Sequence, residues 1–115
     1  MSKMYSQHLI ALRSGVKAED FERFVKEEWP SFVDYPGSKS HVLKGERGDR
    51  EGKYQVLIEF ESLEARNRIF PRSGEPSEEA RRFDQAHPEN AKFFEKLGAL
   101  VAGVGVIFTD YIEIE

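Results

Sequence analysis

The stretch Lys53-Tyr54-Gln55-Val56-Leu57-Ile58-Glu59-Phe60-Glu61 alternates from end to end. Successive side chains of a strand point to opposite faces, so Tyr54, Val56, Ile58 and Phe60 share one strongly apolar face. Gln55, Leu57, Glu59 and Glu61 share the other. The pattern predicts a strand over residues 53–61. Ahead of it lie a polar, glycine-marked loop at residues 45–52 and a second strand-like stretch at 38–46, which together predict an antiparallel hairpin. Behind it, Ser62 is a fitting N-cap for a short helix over residues 63–70 that Pro71 stops.

Toward the N-terminus, Tyr5, Leu9, Ile10 and Leu12 predict a first strand over residues 5–13, broken by Ser14-Gly15. Phe21, Phe24, Val25, Trp29 and Phe32 then recur at helical spacing over residues 18–32, with Glu19 and Asp20 in a first turn that favours negative charge. Pro30 is expected to end or kink that helix near Trp29. Toward the C-terminus, Ser77 caps a helix running to about Ala86, and Pro88 opens another. The latter carries Phe94, Leu97, Leu100 and Val101 on one stripe, with Phe93 beside it, and is expected to end at Gly103. Residues 104–114 predict a last strand with Val104, Val106, Phe108, Ile112 and Ile114 on one face.

The order β-α-β-β-α-(α)-β within 115 residues predicts one α+β domain over residues 1–115. Its expected form is a ferredoxin-like, four-stranded antiparallel sheet with helices on one face and an extra helical segment before the last strand. The second face carries Tyr5, Leu9, Ala11, Leu57, Ile107 and Tyr111, too apolar to stay wet and with no remaining element to cover it. A homodimer joined sheet to sheet is the expected solution.

Composition narrows the function classes. With 39% apolar and 33% charged residues and a mean hydropathy of −0.59, the chain is expected to be a soluble globule. A net charge of −4, with Lys and Arg spread along the chain, argues against nucleic-acid or anionic-membrane partners. RNA-recognition domains share this element order, but Lys53 and Gln55 stand where their third-strand stacking rings belong. The absence of cysteine removes disulfides, thiolate nucleophiles and Cys-ligated metals. The longest apolar run, residues 98–108, falls well short of the roughly 20 residues of a spanning helix, and no secretory leader is visible. A cytoplasmic setting is expected.

His8 shares its strand face with Ser6, Ile10 and Leu12, and Tyr54 shares the apolar face of its own strand. If both faces are covered by the helices, His8 and Tyr54 enter the same layer as Trp29. An imidazole there can take a proton from an acidic C–H or O–H while a phenol polarises a developing enolate; the alternative is a pair of core-edge residues satisfied by backbone or water. His41 and His87 are further candidates facing such a cavity, and Trp29, Phe24 and their aromatic neighbours are either plain core or the wall of a flat ligand pocket. Arg68 or Arg72, beside or in the loop at residues 72–76, is a candidate guard at the mouth for an anionic substrate; the alternative is a solvated face paired with Glu64, Glu75, Glu78 and Glu79. The three histidines show no metal-ligand spacing, and the loop at residues 45–52 has no phosphate-binding pattern, so no metal or cofactor is expected.

By element order across nearly the whole chain, and by Gln7-His8-Leu9-Ile10-Ala11-Leu12 and Glu59-Phe60-Glu61-Ser62, the sequence resembles the dimeric α/β-barrel superfamily. That superfamily includes stress-responsive barrels, polyketide cyclase-like enzymes and antibiotic-biosynthesis-type monooxygenases. The resemblance implies a pocket between sheet and helices with His8 as its early-strand histidine. Tyr54 stands where cyclase-like members can carry a second histidine, and the His-Pro-x-His sequence of that branch is missing around Phe70-Pro71. The Asn/Trp/His set of the monooxygenases is absent too. The resulting expectation is a cofactor-independent enzyme acting on a small aromatic or carbonyl-bearing metabolite by proton transfer or oxygenation, with His8 as base and Tyr54 orienting. A non-catalytic ligand-binding or stress-associated dimer is the alternative, and a haem-handling protein a further one.

Overall fold

A computed structural model describes residues 2–115. Its strands are Met4–Leu12 (β1), Ser38–Lys44 (β2), Tyr54–Phe60 (β3), Val101–Ala102 (β4) and Phe108–Ile112 (β5). Its helices are Ala18–Glu27 (α1), Leu63–Ile69 (α2), Glu78–Ala86 (α3) and Glu89–Leu100 (α4), with a 3-10 turn at Trp29–Ser31. The chain is thus α+β. Ser62 and Ser77 accept from the backbone N–H of Ala65 and Ala80, each 3.1 Å away, so both serines cap their helices as their positions predict. Pro30 likewise closes α1, which gives way to the 3-10 turn around Trp29.

The sheet is antiparallel throughout and runs β2-β3-β1, with β4 and β5 both on the far side of β1. Five strands replace the expected four because Val101–Ala102, expected at the end of the last helix, pairs with β1 as a strand of its own, while the expected last strand shortens to Phe108–Ile112. Gly103 adopts φ +103°, and a Cβ there would lie 2.5 Å from the carbonyl oxygen of Leu9. Its own carbonyl accepts from Val106 and Ile107, which closes a turn. Val104 and Val106 therefore sit in that turn rather than in a strand, and Gly103 lies beyond the end of α4 instead of terminating it. The ladder resumes where Leu9 N–H donates to Ile107 O. On α4 the buried stripe is Asn90, Phe93 and Leu97; Phe94, expected to face inward, is exposed.

Register explains where space is left. Across the helix-covered face, cross-strand neighbours line up in rows: Ser38–Phe60–Met4–Ile112, Ser40–Ile58–Ser6–Asp110, Val42–Val56–His8–Phe108, and Lys44–Tyr54–Ile10. One end packs Ile10, Tyr54 and Val56 against Phe21, Phe24, Phe93, Leu97 and Val101. At the other end Met4 and Phe60 are buried, as are Ala65 and Ile69 of α2. The row between has a serine on both β1 and β2, with Ser38 next to it on β2, and these small side chains do not fill the layer that the larger residues of the core occupy. Among the described residues no helix is long and apolar enough to cross a membrane.

Candidate functional site

The cavity lies over that serine row and has a volume of about 830 Å³. Ser6, His8 and Ser40 are on its floor, Trp29, Phe32 and Phe93 on one wall, and Arg66, Phe70 and Arg72 on another. Concave, largely apolar spaces of several hundred Å³ with few polar groups are what small-molecule sites look like.

Two polar groupings punctuate it. In the first, Trp29 Nε1 donates to Ser40 Oγ (3.1 Å), and Ser40 donates to Asp34 Oδ1 from its hydroxyl (2.7 Å) and its backbone N–H (3.2 Å). The adjoining loop is clamped by buried Asn90, whose amide donates to Val33 O (2.8 Å) and accepts from Val33 N–H (3.1 Å). Tyr35, also lining the cavity, donates to Asp84 (2.7 Å) between the rings of Phe70 and Phe83. Burial, and then Asp84, push its phenol well above the ordinary range.

The second grouping is His8. Its Nε2 lies 3.0 Å from Ser6 Oγ, its Nδ1 accepts from Gly105 N–H at 3.1 Å, and Phe108 stacks on the ring at 5.5 Å. Burial lowers the His8 pKa from its ordinary 6.5, with Asp110 working against the shift. Asp110, in register with Ser6 on β5, is ion-paired with Arg66 of α2.

The structure brings His8, Trp29 and Arg72 to the cavity and leaves the other sequence-derived candidates outside its lining. Tyr54 is inward-facing but one row further along, and its hydroxyl donates to Glu22 of α1. Phe24 is core, stacked on Phe93 at 5.3 Å. His41 is turned to the opposite face of the sheet, because Val42 pairs with Val56; its Nε2 lies 3.6 Å from Glu59. His87 ends α3 against the Phe83 ring, with Nδ1 3.2 Å from Glu89. The sequence did not single out Ser6, Ser40, Asp34 or Asp110. Only Ser6 carried a local signal, its i,i+2 spacing from His8 on one strand face.

No family model, curated protein or solved structure matches this chain.

Proposed function

We propose that this protein is a ferredoxin-like, dimeric α/β-barrel-type enzyme that needs no cofactor. Its cavity takes a small aromatic or carbonyl-bearing metabolite and acts on it by proton transfer or oxygenation, with the Ser6–His8 pair set against the ligand. The observation that carries this reading is an aromatic-walled space of about 830 Å³ with that pair on its floor. Rings supply apolar area for a planar ligand, and a few convergent polar groups fix its orientation. Tyr54, bonded to Glu22 outside the cavity, has no part in this scheme. Native mass spectrometry of the purified protein tests what the cavity carries, followed by turnover of that compound by wild type and His8→Ala. Unchanged turnover removes His8 from the chemistry.

A second reading, a dimer that binds its ligand without converting it, is favoured by the engagement of both ring nitrogens of His8. Saturation with no product on any timescale selects it. The same engagement makes haem a poor fit, since neither nitrogen is open to iron without breaking a bond. The dimer rests on the outer sheet face, where Tyr5, Leu9 and Leu57 are half-buried and Tyr111, in register with Tyr5, remains 52% exposed. Sedimentation at micromolar concentration tests it, and a well-folded single protomer refutes it.

A further inference from the structure

The hydrogen bonds at the cavity floor run in one direction. An amide N–H can only donate, so the contact of 3.1 Å between Gly105 N and His8 Nδ1 assigns the ring's lone pair to Nδ1. A neutral ring then holds its one proton on Nε2, where Ser6 Oγ, 3.0 Å away, accepts it. The Ser6 hydroxyl proton is left to donate onward, and Ser6 lines the cavity. Protonating the ring would turn Nδ1–H against the Gly105 N–H, donor against donor. A base needs an open lone pair, and both nitrogens here are committed.

We infer that Ser6 and His8 form a hydrogen-bond donor site for the carbonyl oxygen of the ligand, with Gly105 as the positioning residue that fixes its direction, rather than a base that abstracts a proton. The charged groups around the pair suit a neutral acceptor. Asp110 on β5 and Arg66 on α2 are paired with each other, Arg72 and Glu75 stand in the exposed loop at residues 72–76, and Asp34 is engaged by Ser40. Of the two arginines on the cavity wall, Arg66 is neutralised by Asp110 and Arg72 belongs to the exposed loop, where solvent and salt screen it, so a ketone or aldehyde is a better fit than a carboxylate. The donor assignment stands on the ligand-free protein; the ligand class rests on the function proposed above.

Long-range ¹H–¹⁵N correlation of the imidazoles in ligand-free wild type, with His8 assigned by its loss in His8→Gln, reads the tautomer directly. The expected result is the pure Nε2–H pattern, with a Gly105 amide resonance that moves upfield in His8→Gln. An Nδ1–H pattern, or a mixture, overturns the inference. Acetophenone and ethylbenzene, similar in shape but differing in the carbonyl, are then titrated into wild type and Ser6→Ala. Loss of the Ser6 hydroxyl is expected to lower acetophenone affinity relative to ethylbenzene by roughly threefold to tenfold. An unchanged ratio overturns the donor while leaving the cavity reading intact. Failure of both probes to bind, with the Nε2–H tautomer present, supports the donor and overturns the aromatic-carbonyl reading.

Discussion

Trp29 and Ser40 meet across the cavity wall, the indole Nε1 donating to the serine hydroxyl at 3.1 Å. The hydroxyl in turn donates to Asp34, so one small side chain on β2 ties the 3-10 turn after α1 to the loop that precedes β2. Trp29 also meets Phe93 edge-on at 4.9 Å, which fixes its plane against α4. The wall of the cavity is thus held by a polar relay on one side of the indole and by ring packing on the other.

Ser40→Ala removes the middle of that relay and strands a half-buried indole N–H. The expected loss is about 1–2 kcal/mol in urea unfolding, because an orphaned buried donor forfeits its desolvation as well as its bond. Trp29 is the only tryptophan, so the emission maximum should shift in the same variant. Unchanged stability and emission would show that the relay does not hold the wall.

Tyr54→Phe separates core from cavity. The Tyr54 hydroxyl and Lys44 both favour the ionised form of Glu22, whose pKa is lowered from 4.5. A lowered carboxylate pKa contributes stability above the ordinary value that is lost as pH falls through the folded value. Removing the phenol therefore moves the acid-unfolding midpoint to higher pH, followed by circular dichroism. Acetophenone affinity should stay within about twofold of wild type, as expected of a residue outside the lining. A large fall in affinity would return Tyr54 to the site.

The inward row Tyr54, Val56, Ile58 and Phe60 was legible because strict alternation has one structural solution, and the caps at Ser62 and Ser77 because a side-chain oxygen before a helix has a local purpose. The facing of His41 was not legible. It depends on which residue of β2 pairs with Val56, and a polar loop without a defining turn motif leaves that register open by one, which flips every side chain. The break at Gly103 was hidden because Val104 and Val106 alternate as a strand would, whereas the close approach to Leu9 O is a tertiary fact. The Arg66–Asp110 pair spans α2 and β5 and leaves no pattern in sequence. Ser6 was visible beside His8, yet a strand serine acquires meaning only when its row proves to be the unfilled one.

Gly103 and Gly105 both lie at positive φ, +103° and +76°, but only Gly103 is crowded, since a methyl group on its Cα would stand 2.5 Å from Leu9 O. Gly103→Ala should destabilise by about 2–3 kcal/mol, combining backbone strain with a clash that the strand cannot relieve. Gly105→Ala, in open space, should lose only about 1 kcal/mol from its left-handed conformation. Denaturation midpoints of the two variants check the order, and the reverse order would mean that the turn is not pinned to β1.

Asp110→Asn leaves Arg66 without its carboxylate, with a side chain only 15% exposed. Partly buried pairs lie between exposed and fully buried ones, so a loss of about 1–2 kcal/mol is expected. The released cation should also change which oxygen the cavity prefers. Benzoate is expected to gain at least roughly threefold over acetophenone relative to wild type, since an uncompensated guanidinium attracts a carboxylate. An unchanged preference would place Arg66 too far from the ligand to select it.

The acid side of the stability profile should carry the signature of His8. Its pKa is lowered from 6.5, first by burial, with Asp110 opposing. Between the folded value and 6.5 the unfolded chain binds the proton and the folded one does not, so stability rises with pH across that window. It is complete above 6.5 and is lost as pH falls through the folded value. His8→Gln has no titratable ring, so the fall of the urea midpoint as pH drops below about 6.5 should flatten relative to wild type. Equal slopes would mean that folding does not perturb the imidazole. A wild-type midpoint that instead rises on acidification would mean that the folded state prefers the imidazolium, which the Gly105 amide opposite Nδ1 should forbid.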